Sequence, residues 1–369
     1  MSKRVYIAAT SQHVGKTTCT LGIVSALKRR GVNVGYCKPV GQEFVDLGDL
    51  KVDKDALLFS KMMNFPLLAE LHSPVIVGAG VTQAYLDNPS QFTFRDKILY
   101  AATELHKQHE VVVYEGTGHP GVGSVIDLSN ADVANLLNSP VIMVVEGGIG
   151  NTIDRLNANL ALFREQKADL MGVILNKVLP DKIEKVRHYV GMKLEEWGIP
   201  LLGILPYDDT LTYPIMETIR QCVHGKILLN GHNLDNRVEN ITSGALIEQK
   251  EFAKLHNLLL IVGHRRLESA IAGIEEISKH KQIEGSPLAG IIINGEGNFM
   301  DHFLDDFPCR DYIEKHGIPL VATNLDTYGS ALRISRLEVK IHTRTPWKVE
   351  RAIQLIQEHV DLDALLGKL

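Results

Sequence analysis

An apolar run that passes straight into a glycine–lysine–threonine turn and then a helical pattern constrains this chain more than any other stretch. Val5-Tyr6-Ile7-Ala8-Ala9 reads as a buried strand, Thr10–Thr18 as a loop, and Leu21–Leu27 as the apolar side of a helix. Gly15 lets backbone N–H groups turn inward toward phosphate oxygens. Lys16 has the reach to meet β- and γ-phosphates, and the Thr17 hydroxyl suits Mg²⁺. The helix that follows aims its positive end at the same anion. His13, Val14 and Thr18 flank the turn and belong to the same expected binding surface. The expected ligands are therefore a nucleoside triphosphate and Mg²⁺. One position departs from the pattern G-x-x-x-x-G-K-[ST]: its first glycine is Thr10 here.

Composition narrows the class. The chain has 369 residues, 45% hydrophobic content and a net charge of −5. That length supports a large core and about two domains. No basic excess of the kind that neutralises a phosphate backbone is present, which argues against nucleic acid as a partner. The longest apolar runs, such as Leu258–Val262, are strand-length and far short of a membrane span. Met1-Ser2-Lys3-Arg4 leads directly into the first strand, so no signal peptide is read there. Cys19, Cys37, Cys222 and Cys309 are widely scattered. Neither zinc nor redox spacing occurs, and a cytoplasmic protein is expected.

The first half alternates short apolar runs with helical patterns, the mark of a mostly parallel α/β sheet. Strands are expected at Val5–Ala9, Val34–Cys37, Val111–Tyr114, Val141–Val145, Gly172–Leu175 and Leu201–Ile204. Helices are expected at Thr18–Arg30, Arg95–Lys107, Asp132–Leu137 and Lys182–Trp197. Residues 1–212 form one expected domain and 213–369 a second, smaller α/β domain. The second reads as strand Lys226–Leu229, a polar segment Asn230–Thr242, and a helix around Gly244–Leu255. Strand Leu258–Val262, helix Leu267–Lys279, strand Leu288–Ile293, helix Arg310–His316 and strand Leu320–Thr323 follow. A long closing helix begins at Pro346 with Thr345 as its cap. Leu170–Asn176 and Leu288–Asn294 are worded alike, as strands of parallel sheets tend to be.

A nucleotide-using site needs carboxylates for the metal and cations for the phosphates. Val111–Tyr114 runs into Glu115-Gly116-Thr117-Gly118, which puts Glu115 at a strand end, where open α/β sheets bind ligands. Glu115 reads either as a metal-holding acid or as a solvated turn residue. Lys38, in Cys37-Lys38-Pro39-Val40-Gly41, reads either as a second phosphate clamp or as a surface cation. Asp53 and Asp55 alone read as acids at a helix N-terminus. His119, just past a strand end, is placed where a ligand could be met.

These segments together resemble dethiobiotin synthetase and the cobyrinic acid a,c-diamide synthases. Val14-Gly15-Lys16-Thr17, Gly35–Val40, Val52–Ala56, Val113–Gly116 and Val173–Asn176 occur in that family's order and spacing, over roughly the first 210 residues. The resemblance implies that Thr17, Asp55 and Glu115 hold Mg²⁺. It implies that Lys16 and Lys38 bind phosphate, with catalytic roles, and that Asn176 contacts the adenine base. Gly41-Gln42-Glu43 departs from the Ser-Gly that follows K-P-V in the synthetases, which weakens the case for amine carboxylation. His232–Arg237 followed by Thr242–Ala245, and Thr323–Tyr328 with the closing helix, resemble a DRTGG domain. The two halves together look like the N-terminal region of long bacterial phosphate acetyltransferases.

The expected function is an ATP-binding regulator or sensor, lacking the acetyltransferase domain itself. Its second domain would take a small-molecule effector or a protein partner, and a homo-oligomer is expected. An ATP-dependent ligase that activates a carboxylate or carbamate is the alternative. A membrane- or DNA-partitioning ATPase fits less well, since Ala8-Ala9-Thr10-Ser11 offers no early loop lysine.

Overall fold

Apolar segments buried on both faces build the first of two units. The computed structural model describes residues 3–46, 48, 51–243, 256–295 and 309–368. Six strands form one sheet: β1 (Lys3–Ala9), β2 (Val34–Cys37), β3 (Val111–Glu115), β4 (Val141–Glu146), β5 (Leu170–Val178) and β6 (Leu201–Pro206). Their order is β6-β5-β4-β1-β3-β2, and every pairing is parallel. Val112, Val113, Ile142 and Val144 have no solvent exposure, as strands covered by helices on both sides require. Parallel neighbours need crossovers. Helices Lys16–Arg29, Phe94–Gln108, Asn130–Leu136, Gly150–Glu165 and Ile183–Glu196 supply them.

The chain moves outward from β1 to β2 and returns to insert β3 between them. It then crosses to the other side of β1 for β4, β5 and β6. The direction of winding therefore reverses at β1, and the crevice at such a switch point is where open α/β sheets bind ligands. The phosphate-type loop leaves the carboxyl end of β1 at that place.

Contacts divide the chain into Met1–Asp208 with Ile341–Leu369, and Asp209–Lys340. A single cut between residues 212 and 213 would assign the closing helix to the second unit, whereas its contacts assign it to the first. Helix Pro346–His359 buries Ala352, Ile353, Leu355 and Ile356. Gly22 gives it close access to helix Lys16–Arg29: a Cβ there would lie 2.3 Å from Ile356 Cγ1. Arg29 pairs with Glu350 at 2.9 Å, and Arg351 with Asp208 at 2.5 Å. Val360 bridges antiparallel to Gly203 on edge strand β6. The helical period of 346–359 reveals an apolar face but not the surface that covers it. Thr345 stands at the helix start, yet its hydroxyl bonds back to His342 instead of capping the first turn.

The second unit has β7 (Lys226–Leu229), β8 (Asn240–Ser243), β9 (Leu258–Gly263), β10 (Leu288–Asn294) and β11 (Leu320–Thr323). Their order is β7-β11-β10-β9-β8, with β7 antiparallel and the others parallel. The polar segment Asn230–Thr242 ends in β8, because Asn240–Ser243 pair with Leu258–Ile261. The helix expected at 244–255 lies outside the described residues. Helix Leu267–His280 puts Leu267, Ile271, Ile274 and Ile277 into the core against β9 and β10.

Candidate functional site

Gly15 opens helix Lys16–Arg29 at φ +93°, in the left-handed region. His13 also has positive φ, at 61°, while Thr10 is not among the residues with positive φ. The loop therefore takes its turns at 13 and 15, and position 10 has no conformational need for glycine. Thr10 is buried, and its N–H donates to the Val144 carbonyl at 3.0 Å.

The loop is fastened from β5. Asn176 Nδ2 donates to the Val14 carbonyl at 2.7 Å. Lys177 Nζ donates to the His13 carbonyl at 2.6 Å and pairs with Glu146 at 2.8 Å. Val14 and Asn176 are buried, whereas His13 reaches solvent. Lys177 carried no sequence signal, since a lysine at a strand end is ordinary until the loop is seen folded beside it.

Glu115 lies at the head of β3, between the elements that carry the other donors. It has no solvent exposure. Thr17 Oγ1 donates to Glu115 Oε1 at 2.7 Å, and Tyr36 OH donates to Oε2 at 3.2 Å. Burial pushes the Glu115 carboxyl up to about 7. Repulsion from Asp55 adds to this, and Lys38, Lys16 and the Thr17 bond oppose it. Glu115 is thus a buried acid of the site and not a solvated turn residue.

Lys38 leaves the end of β2 as a buried cation and not as a surface one. Its ammonium pairs with Asp55 Oδ2 and lies 3.5 Å from Asp53 Oδ1. Burial works against its charge, but Asp55, Asp53 and Glu115 together hold its pKa above the ordinary lysine value. Asp53 is pushed up to about 6, first by burial and then by repulsion from Asp55, against the pull of Lys38 and the Asp55 N–H. Asp53 caps helix Lys54–Met63 through Asp55 N–H at 2.8 Å, as expected of an acid at a helix start. Gly41 makes room for it, since a Cβ there would lie 2.4 Å from Asp53 Oδ2.

Lys16 reaches across the mouth, with Nζ 3.5 Å from the Gly118 carbonyl. Part of its side chain meets solvent. Burial nevertheless lowers it to about 8, and Lys38 lowers it further, against the pull of Glu115, Asp55 and Asp53. The 115–120 segment that faces it is held by Asn130, a residue sequence reasoning passed over. Asn130 Oδ1 accepts from Tyr6 OH at 2.8 Å and Thr117 N–H at 2.9 Å. Its Nδ2 donates to the Thr117 and His119 carbonyls at 2.8 and 2.7 Å. Gly116 permits this approach, because a Cβ there would stand 2.2 Å from Asn130 Oδ1. His119 is exposed at the rim, its Nδ1 accepting from Gly121 N–H.

Lys16, Thr17, Lys38, Asp55 and Glu115 thus meet in one place. Asn176, Val14 and Gly15 form the loop wall beside it. Among the described residues, no three His, Cys, Asp or Glu side chains form a ready-made metal cluster. Mg²⁺ is a hard cation bound through one or two carboxylates, waters and substrate phosphates. The Thr17 hydroxyl, Glu115 and Asp55 are donors of the right kind. Among the described residues no helix is long and apolar enough to cross a membrane.

A parallel α/β sheet with a lysine–threonine phosphate loop at its switch point defines a P-loop nucleotide-binding domain. The chain belongs to the AAA domain family AAA_26, whose model matches residues 3–214. It is similar to phosphate acetyltransferase from Nitrosomonas europaea, with 22% identity over 98% of this chain and 51% of that protein. It is also similar to a probable cobyric acid synthase from Methanothermobacter thermautotrophicus, with 27% identity over 58% of this chain and 46% of that protein. The chain spans about half the length of these curated relatives. Among solved structures it resembles the MinD cell division protein of Aquifex aeolicus, at 15% identity and a TM-score of 0.37, over 57% of this chain and 85% of that one.

Proposed function

We propose that this protein binds ATP with Mg²⁺ and acts as a regulator or sensor of the nucleotide. The observation that carries the reading is the meeting of Thr17 and Glu115 at 2.7 Å, with Lys16 and Lys38 on the same side of the sheet end. Three carboxylates (Asp53, Asp55, Glu115) face two ammonium groups there. An anion alone would meet excess acid, whereas an anion carrying a divalent cation gives each sign a partner. Lys16 and the N–H groups of the Gly15 turn would hold β- and γ-phosphate oxygens. Thr17, Asp55 and Glu115 would hold Mg²⁺, which neutralises phosphate charge when bound. Asn176 would border the adenine base. The Lys38–Asp55 pair would loosen as Asp55 turns to the metal, freeing Lys38 for phosphate.

The second unit is read as a DRTGG-like module that takes an effector or a protein partner. The regulatory role proposed for both units rests on the resemblance of the sequence to the N-terminal region of long phosphate acetyltransferases, about half of one of which the chain matches. Equilibrium titration tests the nucleotide part: ATP with Mg²⁺ should bind the wild type and bind Lys16→Ala at least about 100-fold more weakly. Equal affinity, or none in either, would overturn it.

Lys38 favours a second reading. A buried lysine kept charged next to Lys16 is more cation than binding requires. It suits stabilisation of a phosphoryl group in transfer, as in an ATP-dependent ligase. Stoichiometric ADP release with a diamine or carboxylate would support the ligase. Binding with negligible turnover would support the sensor.

A further inference from the structure

Tyr36 has no part in the reading above, yet it is nearly the largest side chain in the first unit's interior and only 1% exposed. Its ring lies flat on Phe59, with centroids 3.7 Å apart and planes 7° from parallel. Register explains where its hydroxyl goes. Tyr36 pairs with Val113 across β2 and β3, and residues 113 and 115 point to one face of the sheet. The phenol therefore meets Glu115 diagonally and donates to Oε2 at 3.2 Å. Thr17 holds Oε1 at 2.7 Å.

We propose that Tyr36 is a positioning residue for the metal. Its hydroxyl anchors one oxygen of Glu115, so that the other is presented beside Thr17 in a fixed direction. This rests on the ATP–Mg²⁺ reading of the same site. A carboxylate with one oxygen tied loses little further freedom on meeting a cation. Outer partners that orient metal-holding groups typically change metal affinity by about 10–100-fold when removed. Neither the loop motif nor the Glu-Gly turn would point to Tyr36, which lies on a different strand.

The test uses the full chain with Tyr36→Phe, which keeps the ring and its stacking on Phe59. ATP affinity is measured with EDTA and again across a Mg²⁺ series. Expected is a metal-free affinity within about twofold of wild type, unchanged thermal unfolding without metal, and a Mg²⁺-dependent gain reduced by about 10-fold or more. In a Glu115→Gln background the same substitution should have no further effect, since the partner carboxylate is gone. An undiminished Mg²⁺ gain overturns the positioning role. So does an equal loss with and without metal, or a Tyr36→Phe chain that fails to fold, each of which marks a purely structural tyrosine. If the wild type shows no Mg²⁺-dependent ATP binding, the nucleotide reading itself falls and the tyrosine's role with it.

Discussion

The carboxamide of Asn176 stands where a side chain on Gly15 would have to go: Nδ2 lies 2.1 Å from the position a Cβ would take. The same nitrogen donates to the Val14 carbonyl at 2.7 Å. The end of β5 is thereby stitched to the phosphate loop, and the loop's shape depends on a strand more than 150 residues downstream.

Replacing Gly15 with alanine should therefore fail for two reasons. A left-handed backbone costs a residue with a Cβ about 1–2 kcal/mol, and the methyl group would displace Asn176. ATP affinity is expected to fall by more than about 10-fold, roughly what 1.4 kcal/mol produces. Titration calorimetry checks this, and an alanine variant with wild-type affinity would refute the packing described.

Asp53 should act mainly as a cap. Asp53→Ala removes the bond to Asp55 N–H and is expected to cost about 1–2 kcal/mol of stability. Urea unfolding of the full chain measures it. A loss below about 0.3 kcal/mol would show that the cap contributes nothing.

The closing helix should be part of the first unit's core. Ile356 has no solvent exposure and packs at Gly22. Ile356→Ala is expected to cost about 2–5 kcal/mol, the range for truncating a buried aliphatic side chain. Near-wild-type unfolding would mean that residues 346–359 do not dock on helix Lys16–Arg29.

Lys348 gives a pH dependence. Burial pulls its ammonium down to about 7, while an unfolded lysine titrates near 10.4. Between those values the unfolded chain binds more protons, so this residue makes stability rise with pH from about 7 to about 10. Below pH 7 the burden of the buried charge is present in full. Wild type should gain steadily on Lys348→Met across that window in urea melts. A constant difference between the two would refute the assignment.

Much of the first unit was legible because its signals are local. Each of the six strand segments expected there lies within an observed strand, because an apolar run that must be covered on both faces looks the same in sequence and in space. Helix Lys16–Arg29 was legible from its turn and its period. The placement of helix Pro346–His359 was not, because amphipathicity names a face without naming its partner. Asn240–Thr242 read only as the end of a polar segment, since an edge strand needs pairing on one side only and carries little apolar signal.

By itself the sequence determined the kind of protein: the strand, the Gly15-Lys16-Thr17 turn and the helix behind it are contiguous, and contiguous residues settle a turn by their own conformational limits. Only the tertiary structure decided what surrounds that turn. Inserting β3 between β1 and β2 brought Glu115 under Thr17 and Tyr36. The end of β2 placed Lys38 among Asp53 and Asp55, and β5 carried Asn176 and Lys177 to the loop. These partners lie on separate strands, and sheet order, which no local pattern encodes, sets which side chains share one end.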